Sequence, residues 1–305
     1  MSGISRNISS LIGHTPMLRI NRMTGKDSAN IYGKLEMFNI GGSVKDRAAL
    51  TLIEFAEASG LLTKEKTIIE ATSGNTGIAL SMIGAAKGYA VTIVMSESAS
   101  VERRKIIKAY GAELVLTPGD KGTAGAIEMK DKLIRENPGK YVAMDQFSNP
   151  ANIFAHYTGT ANEIIDQMGG KVDMVVMSVG TGGTSSGISL RMREFNPEIK
   201  VIGVTPALGV KIQGIRNPRE PNPSRLIRVD AFDELIEIDE KTKRDAFETG
   251  RLAARMEGLL LGMSSSCALH IAIEKAKLLG PGKNIVVIFP DNGFKYLSTE
   301  LFEPV

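Results

Sequence analysis

Between residues 43 and 204 the chain alternates short apolar runs with stretches of helical periodicity, and this alternation narrows its fold more than any other feature. A helix expected from Ser43 to about Ser59 leads to an apolar run at 67–71, and a helix after Asn75 leads to one at 90–95. Helices over 101–109 and 124–136 lead to strands at 113–116 and 141–144. The pattern resumes with a helix within 154–168, a strand at 174–178, a helix within 186–195 and a strand at 201–204. Strands joined by helical crossovers run parallel, and right-handed crossovers lay the helices on the sheet faces. The expected class is therefore α/β, with parallel-rich twisted sheets covered by helices. Strands at 17–20 and 31–35 precede the series. An irregular stretch rich in Pro and Arg, 206–228, follows it, and then helices at 240–256 and 264–279 and a strand at 284–289. Asn149-Pro150 divides the strands into two sets. Residues 41–149 are expected to form a smaller, mobile domain, and 1–40 plus 150–305 a larger one.

Composition closes off several classes of function. With 305 residues, 43% hydrophobic and 23% charged, the chain can bury a full core and is not a disordered polymer. Its net charge of +3 is spread without a Lys/Arg block and aromatics are 5%, so no nucleic-acid partner is expected. No apolar run approaches membrane-spanning length, and the first residues lack a signal-peptide core, so no membrane partner is expected either. A single cysteine, Cys267, forms no internal disulfide and fits a cytoplasmic location. His14, His156 and His270 lie far apart without cysteines at ligand spacing, so no metal site is expected.

Four segments carry candidate chemistry. In Gly41-Gly42-Ser43-Val44-Lys45-Asp46-Arg47, two glycines permit a tight turn, Ser43 is a natural N-cap, and Ala49, Leu52, Ile53 and Ala56 share one helical face. Lys45 thus stands in the first turn of a helix, where a cation meets the positive end of the macrodipole at a cost of about 0.3–1 kcal/mol. That cost vanishes for a neutral amine, the state in which lysine attacks a carbonyl. Thr72-Ser73-Gly74-Asn75-Thr76-Gly77 follows a strand and opens a helix; its hydroxyls, amide and backbone N–H groups suit a carboxylate. Gly180-Thr181-Gly182-Gly183-Thr184 also follows a strand, and its converging amides and hydroxyls suit a phosphate monoester. It has neither the lysine of a nucleotide P-loop nor the spacing of a dinucleotide fingerprint. The fourth, Gly262-Met263-Ser264-Ser265-Ser266, begins a helix. A lysine nucleophile, a phosphate cradle and a carboxylate pocket together are what pyridoxal phosphate and an amino acid require.

These segments, with Ile12-Gly13-His14-Thr15-Pro16, Gln146-Phe147-Ser148-Asn149-Pro150 and the run from Asp291 through Tyr296-Leu297-Ser298-Thr299, stand in one order along the chain. In that order they resemble the cysteine synthases, or O-acetylserine sulfhydrylases, closest to the B-type enzymes, within the tryptophan-synthase-β family of pyridoxal-phosphate enzymes. The resemblance implies a homodimeric transferase. It would form L-cysteine by β-replacement, from O-acetyl-L-serine and sulfide through an aminoacrylate. It also implies that Lys45 holds pyridoxal 5'-phosphate as an internal aldimine and serves as the proton-transfer base. Asn75 would bond the cofactor ring oxygen, Gly180 to Thr184 the phosphate, and Ser264 the pyridine nitrogen. Thr72, Ser73, Gly74, Thr76 and Gln146 would hold the substrate carboxylate.

The turn Gly214-Ile215-Arg216 resembles a segment near the site entrance of B-type relatives, so Arg216 is a candidate to hold the phosphate of O-phospho-L-serine, a second donor. Departures from the family are Ile40 and Ile153 at positions where prolines are common, and Ser266-Cys267 in place of a glycine and a small residue. Cys267 is expected to be a buried structural thiol. The alternatives are a cystathionine β-synthase-like condensation, another β-replacement such as diaminopropionate synthesis, and an idle relative that acts as a regulatory partner.

Overall fold

The computed structural model describes residues 4–72, 74–221 and 223–302, so Ser73 lies outside the described residues. Strands β1 (Met17–Ile20), β2 (Asn30–Leu35), β7 (Met174–Ser178), β8 (Lys200–Pro206), β9 (Glu234–Ile238) and β10 (Asn284–Phe289) form a sheet of order β1-β2-β10-β7-β8-β9. All its pairings are parallel except β1 with β2. Strands β3 (Thr67–Ala71), β4 (Ala90–Ser96), β5 (Glu113–Thr117) and β6 (Tyr141–Ala143) form a wholly parallel second sheet of order β5-β4-β3-β6. One sheet therefore draws its strands only from residues 67–143 and the other only from 17–35 and 174–289.

The period of two along each strand sorts side chains onto two covered faces. Ile68 and Ile93 pack with Leu52 and Ile53 of α1 (Lys45–Ala58) and with Ile78 and Ile83 of α2 (Asn75–Lys87). Ile69, Ala71 and Val94 point the other way, toward Ala126 of α4 (Gly122–Glu136). In the larger sheet Val176, Val287 and Phe289 meet Phe247 of α8 (Glu240–Glu257) and Leu269 of α9 (Met263–Leu279). On its other face Val175, Val286 and Ile288 meet Ile164 of α6 (Ala161–Gln167) and both Ile188 and Met192 of α7 (Gly183–Phe195).

The structure differs from the sequence pattern in three places. Strand β9 is not evident in the sequence, because it is a sheet edge on which only Ile238 is fully buried and Glu234 and Glu237 face outward. The helix expected within 154–168 is α5 (Ala151–Ala155), a π-helical turn His156–Thr160 and then α6. The turn forms where α7 presents Gly187 so closely that a Cβ there would stand 2.5 Å from the Ile153 carbonyl oxygen and 2.9 Å from His156 Cβ. Ile153 donates its backbone N–H to the Pro150 carbonyl at 2.9 Å, a bond that proline at this position lacks. Helix α1 is capped by Val44 and not by Ser43, whose hydroxyl oxygen instead accepts the Lys45 N–H at 3.3 Å.

A buried ion cluster joins α1 to the larger sheet. Arg47 donates to both Glu36 oxygens at 2.7 and 2.9 Å and to both Glu163 oxygens at 2.6 and 2.7 Å. Lys34, fully buried on β2, adds bonds to Glu163, Gln167 and the Thr15 carbonyl. The turn before β1 closes over it: the His14 N–H donates to Glu163 and the Thr15 hydroxyl to Glu36. Burial disfavours the Glu163 anion, but hydrogen bonds and charge from Arg47 and Lys34 overcome it and draw its pKa down to about 2. We expect Arg47→Met to cost roughly 3–5 kcal/mol, because it leaves the fully buried Glu36 without its guanidinium and Glu163 without one of its two cations, and to appear as a lowered urea midpoint.

Candidate active site

The carboxyl ends of β3, β6, β7 and β10 converge on one cleft of about 580 Å³ between the two sheets. This is where ligands bind in open parallel sheets. Lys45 lies on its wall as the first residue of α1. Burial lowers the pKa of its amine, against a smaller opposing pull from Asp291, and among the described residues none hydrogen-bonds it. The glycines before it have separate reasons. A Cβ on Gly41 would stand 2.6 Å from Asp46 Oδ1, and Gly42 has φ +79°. The Gly41 N–H donates to Asp46 Oδ2 at 2.6 Å, while burial raises the Asp46 carboxyl to about 7.

Across the cleft, Gly180 to Thr184 lead from β7 into the N-terminus of α7, with Gly182 as its cap at φ +89°. No side chain fits there. A Cβ would stand 2.5 Å from the Gly214 carbonyl oxygen at Gly180, 2.6 Å from the Ile227 nitrogen at Gly182 and 2.0 Å from Asn152 Oδ1 at Gly183. The loop therefore offers backbone N–H groups at a helix start, which suits a phosphate. Gly180, Thr181, Gly182 and Thr184 line the cleft, while Gly183 sits behind them against Asn152. Thr184 is held by His156 Nε2 at 3.1 Å, and the other ring nitrogen contacts Thr160 at 2.9 Å.

The remaining candidates gather at the same place. Thr72, Asn75, Thr76, Gln146, Ser264 and Arg216 all line the cleft. Gly74 does not; it caps α2, and a Cβ there would stand 2.4 Å from Arg103 Cδ. The Thr76 hydroxyl donates to Gln146 Oε1 at 2.6 Å, and Gln146 Nε2 donates to the Ala71 carbonyl at 3.2 Å. Ser264 is the second residue of α9, and its carbonyl accepts the Ser178 hydroxyl at 2.7 Å. Arg216 donates to Glu220 at 3.1 Å, with its guanidinium carbon 5.4 Å from the centre of the Phe147 ring.

Four further residues stand at the site: Arg103 and Lys295, which the sequence does not single out, and Asp291 and Tyr296, which belong to a run it singles out without a role. Arg103, from α3 (Val101–Ala109), lines the cleft, bonds Gln213 and lies 4.6 Å over the Tyr296 ring. Tyr296 donates to Asp291 Oδ2 at 2.7 Å. A carboxylate two residues past the end of a buried strand, as Asp291 stands after β10, was the available signal.

A desolvated lysine facing a glycine cradle across a cleft between parallel sheets fits a carbonyl cofactor bearing a phosphate, and so a Schiff-base enzyme. The chain belongs to the family of pyridoxal-phosphate-dependent enzymes, whose model matches residues 8–291, and it has the tryptophan-synthase-β-like fold. It is 42% identical to a cysteine synthase of Staphylococcus aureus (strain Mu50), over 97% of this chain and 96% of that one. Among solved structures it is similar to an O-ureido-L-serine synthase, at 38% identity and a TM-score of 0.91, covering 99% and 96% of the two chains. It is likewise similar to a cysteine synthase of Entamoeba histolytica, at 40% identity and a TM-score of 0.88, covering 100% and 92%.

Gln146 is placed by a buried acid beneath it. Glu70 on β3 accepts the backbone N–H groups of Asp145 and Gln146, and burial raises its carboxyl from an ordinary 4.5 to about 8. A raised acid contributes stability that is complete below 4.5 and is lost as pH climbs through about 8. Glu70→Gln, neutral at every pH, should therefore flatten the fall in stability across that window. Thermal unfolding at about pH 6 and about pH 9 tests it, and an unchanged slope would contradict it.

Proposed function

We propose that the chain forms L-cysteine by β-replacement on an O-activated L-serine with sulfide as nucleophile. The observation that carries this reading is the placement of the desolvated Lys45 amine opposite the glycine cradle at the head of α7, with the Thr76–Gln146 pair in the same cleft. Similarity to the cysteine synthases of Staphylococcus aureus and Entamoeba histolytica supports it. Lys45 would hold pyridoxal phosphate covalently, Gly180 to Thr184 would receive its phosphate, Asn75 its ring oxygen and Ser264 its ring nitrogen. The cofactor supplies an electron-withdrawing ring for the charge that develops at the substrate α-carbon.

The protein's own part is acid–base chemistry and positioning. Burial lowers the Lys45 pKa and so favours the neutral amine, which can accept the α-proton at Nζ as an ammonium cannot. Thr72, Thr76 and Gln146, with Ser73, Gly74 and the first N–H groups of α2, would hold the carboxylate without an arginine, leaving the α-proton turned toward Lys45. Residues 41–149 would move as the smaller domain and exclude water when substrate binds. Acetate leaving from Cβ needs no cation, whereas a phosphate dianion calls for one. Arg216 would supply it, and Glu220 is the group a phosphate must displace. The reading extends to a cytoplasmic homodimer, which light scattering on the purified protein tests; no described helix is long and apolar enough to cross a membrane. An idle regulatory relative would have no use for a desolvated lysine on the cleft wall.

Two measurements test the reading. Borohydride reduction followed by peptide mapping should place the cofactor on Lys45, and Lys45→Ala should lose both the covalent label and turnover; label on another lysine would sink the assignment. Arg216→Ala should lower kcat/KM for O-phospho-L-serine by roughly ten- to a hundredfold while sparing O-acetyl-L-serine. An equal loss for both donors would remove Arg216 from leaving-group recognition.

A further inference from the structure

Asn75 carries an amide whose two ends are nearly the same size but opposite in hydrogen-bonding character. It lines the cleft beside Lys45, and in this structure both ends of its amide are engaged from behind. Its Nδ2 donates to Asp291 Oδ2 at 2.6 Å, and its Oδ1 accepts from Lys295 Nζ at 3.2 Å. An ammonium can only donate and an ionised carboxylate can only accept, so reversing the amide would oppose N–H to ammonium and carbonyl to carboxylate.

The two charges are fixed in turn. Asp291 is fully buried at the end of β10, and Tyr296 donates to the same oxygen that Asn75 uses. A Cβ on Gly262 would stand 2.0 Å from the other oxygen, Oδ1, so only glycine there leaves room for the carboxylate. Lys295, buried as well, is held by the Gly42 carbonyl at 3.0 Å, in the turn that leads into Lys45.

We propose that Asp291 and Lys295 are positioning residues that lock the Asn75 amide so that an N–H, and not the carbonyl, faces the cleft. An amide nitrogen carries two hydrogens; Asp291 takes one, and the second is left for the ring oxygen of the cofactor. With Lys295 bound to its carbonyl and Asp291 to its N–H, Asn75 can serve the cofactor only as a donor. Such a donor stabilises the ionised ring oxygen, and with it the form of the bound cofactor that absorbs at longer wavelength. This inference rests on the cofactor assignment made above.

The test uses the holoenzyme and reads the visible spectrum and the cofactor dissociation constant. Asp291→Asn keeps shape but lets either amide orientation bond, and Lys295→Met removes the donor that holds the carbonyl. Each should shift absorbance toward the shorter-wavelength form and weaken cofactor retention by about tenfold. Lys295→Arg, still donor-only, should keep the wild-type spectrum. Lys295→Met carries the test alone if Asp291→Asn does not fold. Variants that lose thermal stability yet keep the wild-type spectrum and cofactor affinity would overturn the proposal and leave the pair a structural role. A wild-type protein that takes up no cofactor at Lys45 would overturn instead the assignment on which it rests.

Discussion

Helix α1 must place its first residue in a cleft that it shares with a sheet to which it does not belong, and the buried cluster around Arg47 holds it there. Two carboxylates, from the turn after β2 and from α6, converge on one guanidinium, and Lys34 balances the second of them. Charges taken out of water are tolerable only when each is paired and hydrogen-bonded, so the cluster accepts one geometry. Arg47 is two residues from Lys45 on the same helix, which means that fixing the guanidinium also fixes the direction in which α1 aims its amine. The turn from Ile12 to Pro16 has its place for the same reason: it brings the N–H of His14 and the hydroxyl and carbonyl of Thr15 to that cluster.

A consistent division of labour follows. The cleft is built from the ends of elements, where strands stop and helices begin, because only there does the backbone offer unpaired N–H groups to an anion. Glycine stands at Gly180, Gly182 and Gly183 because neighbouring backbone or Asn152 already fills the space of a Cβ. Side chains that reach the cleft are anchored from behind: Gln146 by the Ala71 carbonyl, Thr184 by His156, and Asn75 by Asp291 and Lys295.

Departures from the family pattern are absorbed locally. Ser266, where glycine is usual, donates to the Gly262 carbonyl at 2.9 Å and packs on Gly250, where a Cβ would stand 2.1 Å from its hydroxyl oxygen. Cys267 is fully buried, and burial raises its thiol to about 12, which makes it a packing group and not a nucleophile. Ile40 is about half exposed and borders the glycine turn without entering the core.

The sequence alone determined the alternation of strands and helices, the two sets of strands, the helix headed by Lys45 and the two loops, 72–77 and 180–184, that follow strands and open helices. These are local properties, written in the periodicity of apolar residues and in the conformational freedom of glycine, and they survive without knowledge of the partner surface. Tertiary structure decided the rest. Edge strand β9 lacks a buried repeat because one side has no neighbour, and the π-helical turn exists because α7 presses on it. Arg103 and Lys295 carry no local signal of their place at the site, and Asp291 is legible only as the start of a run. Gln213, Asn75 and Gly41, which they bond, lie 110, 216 and 254 residues away, and a charge acquires its meaning in a protein only from what shares its low-dielectric surroundings.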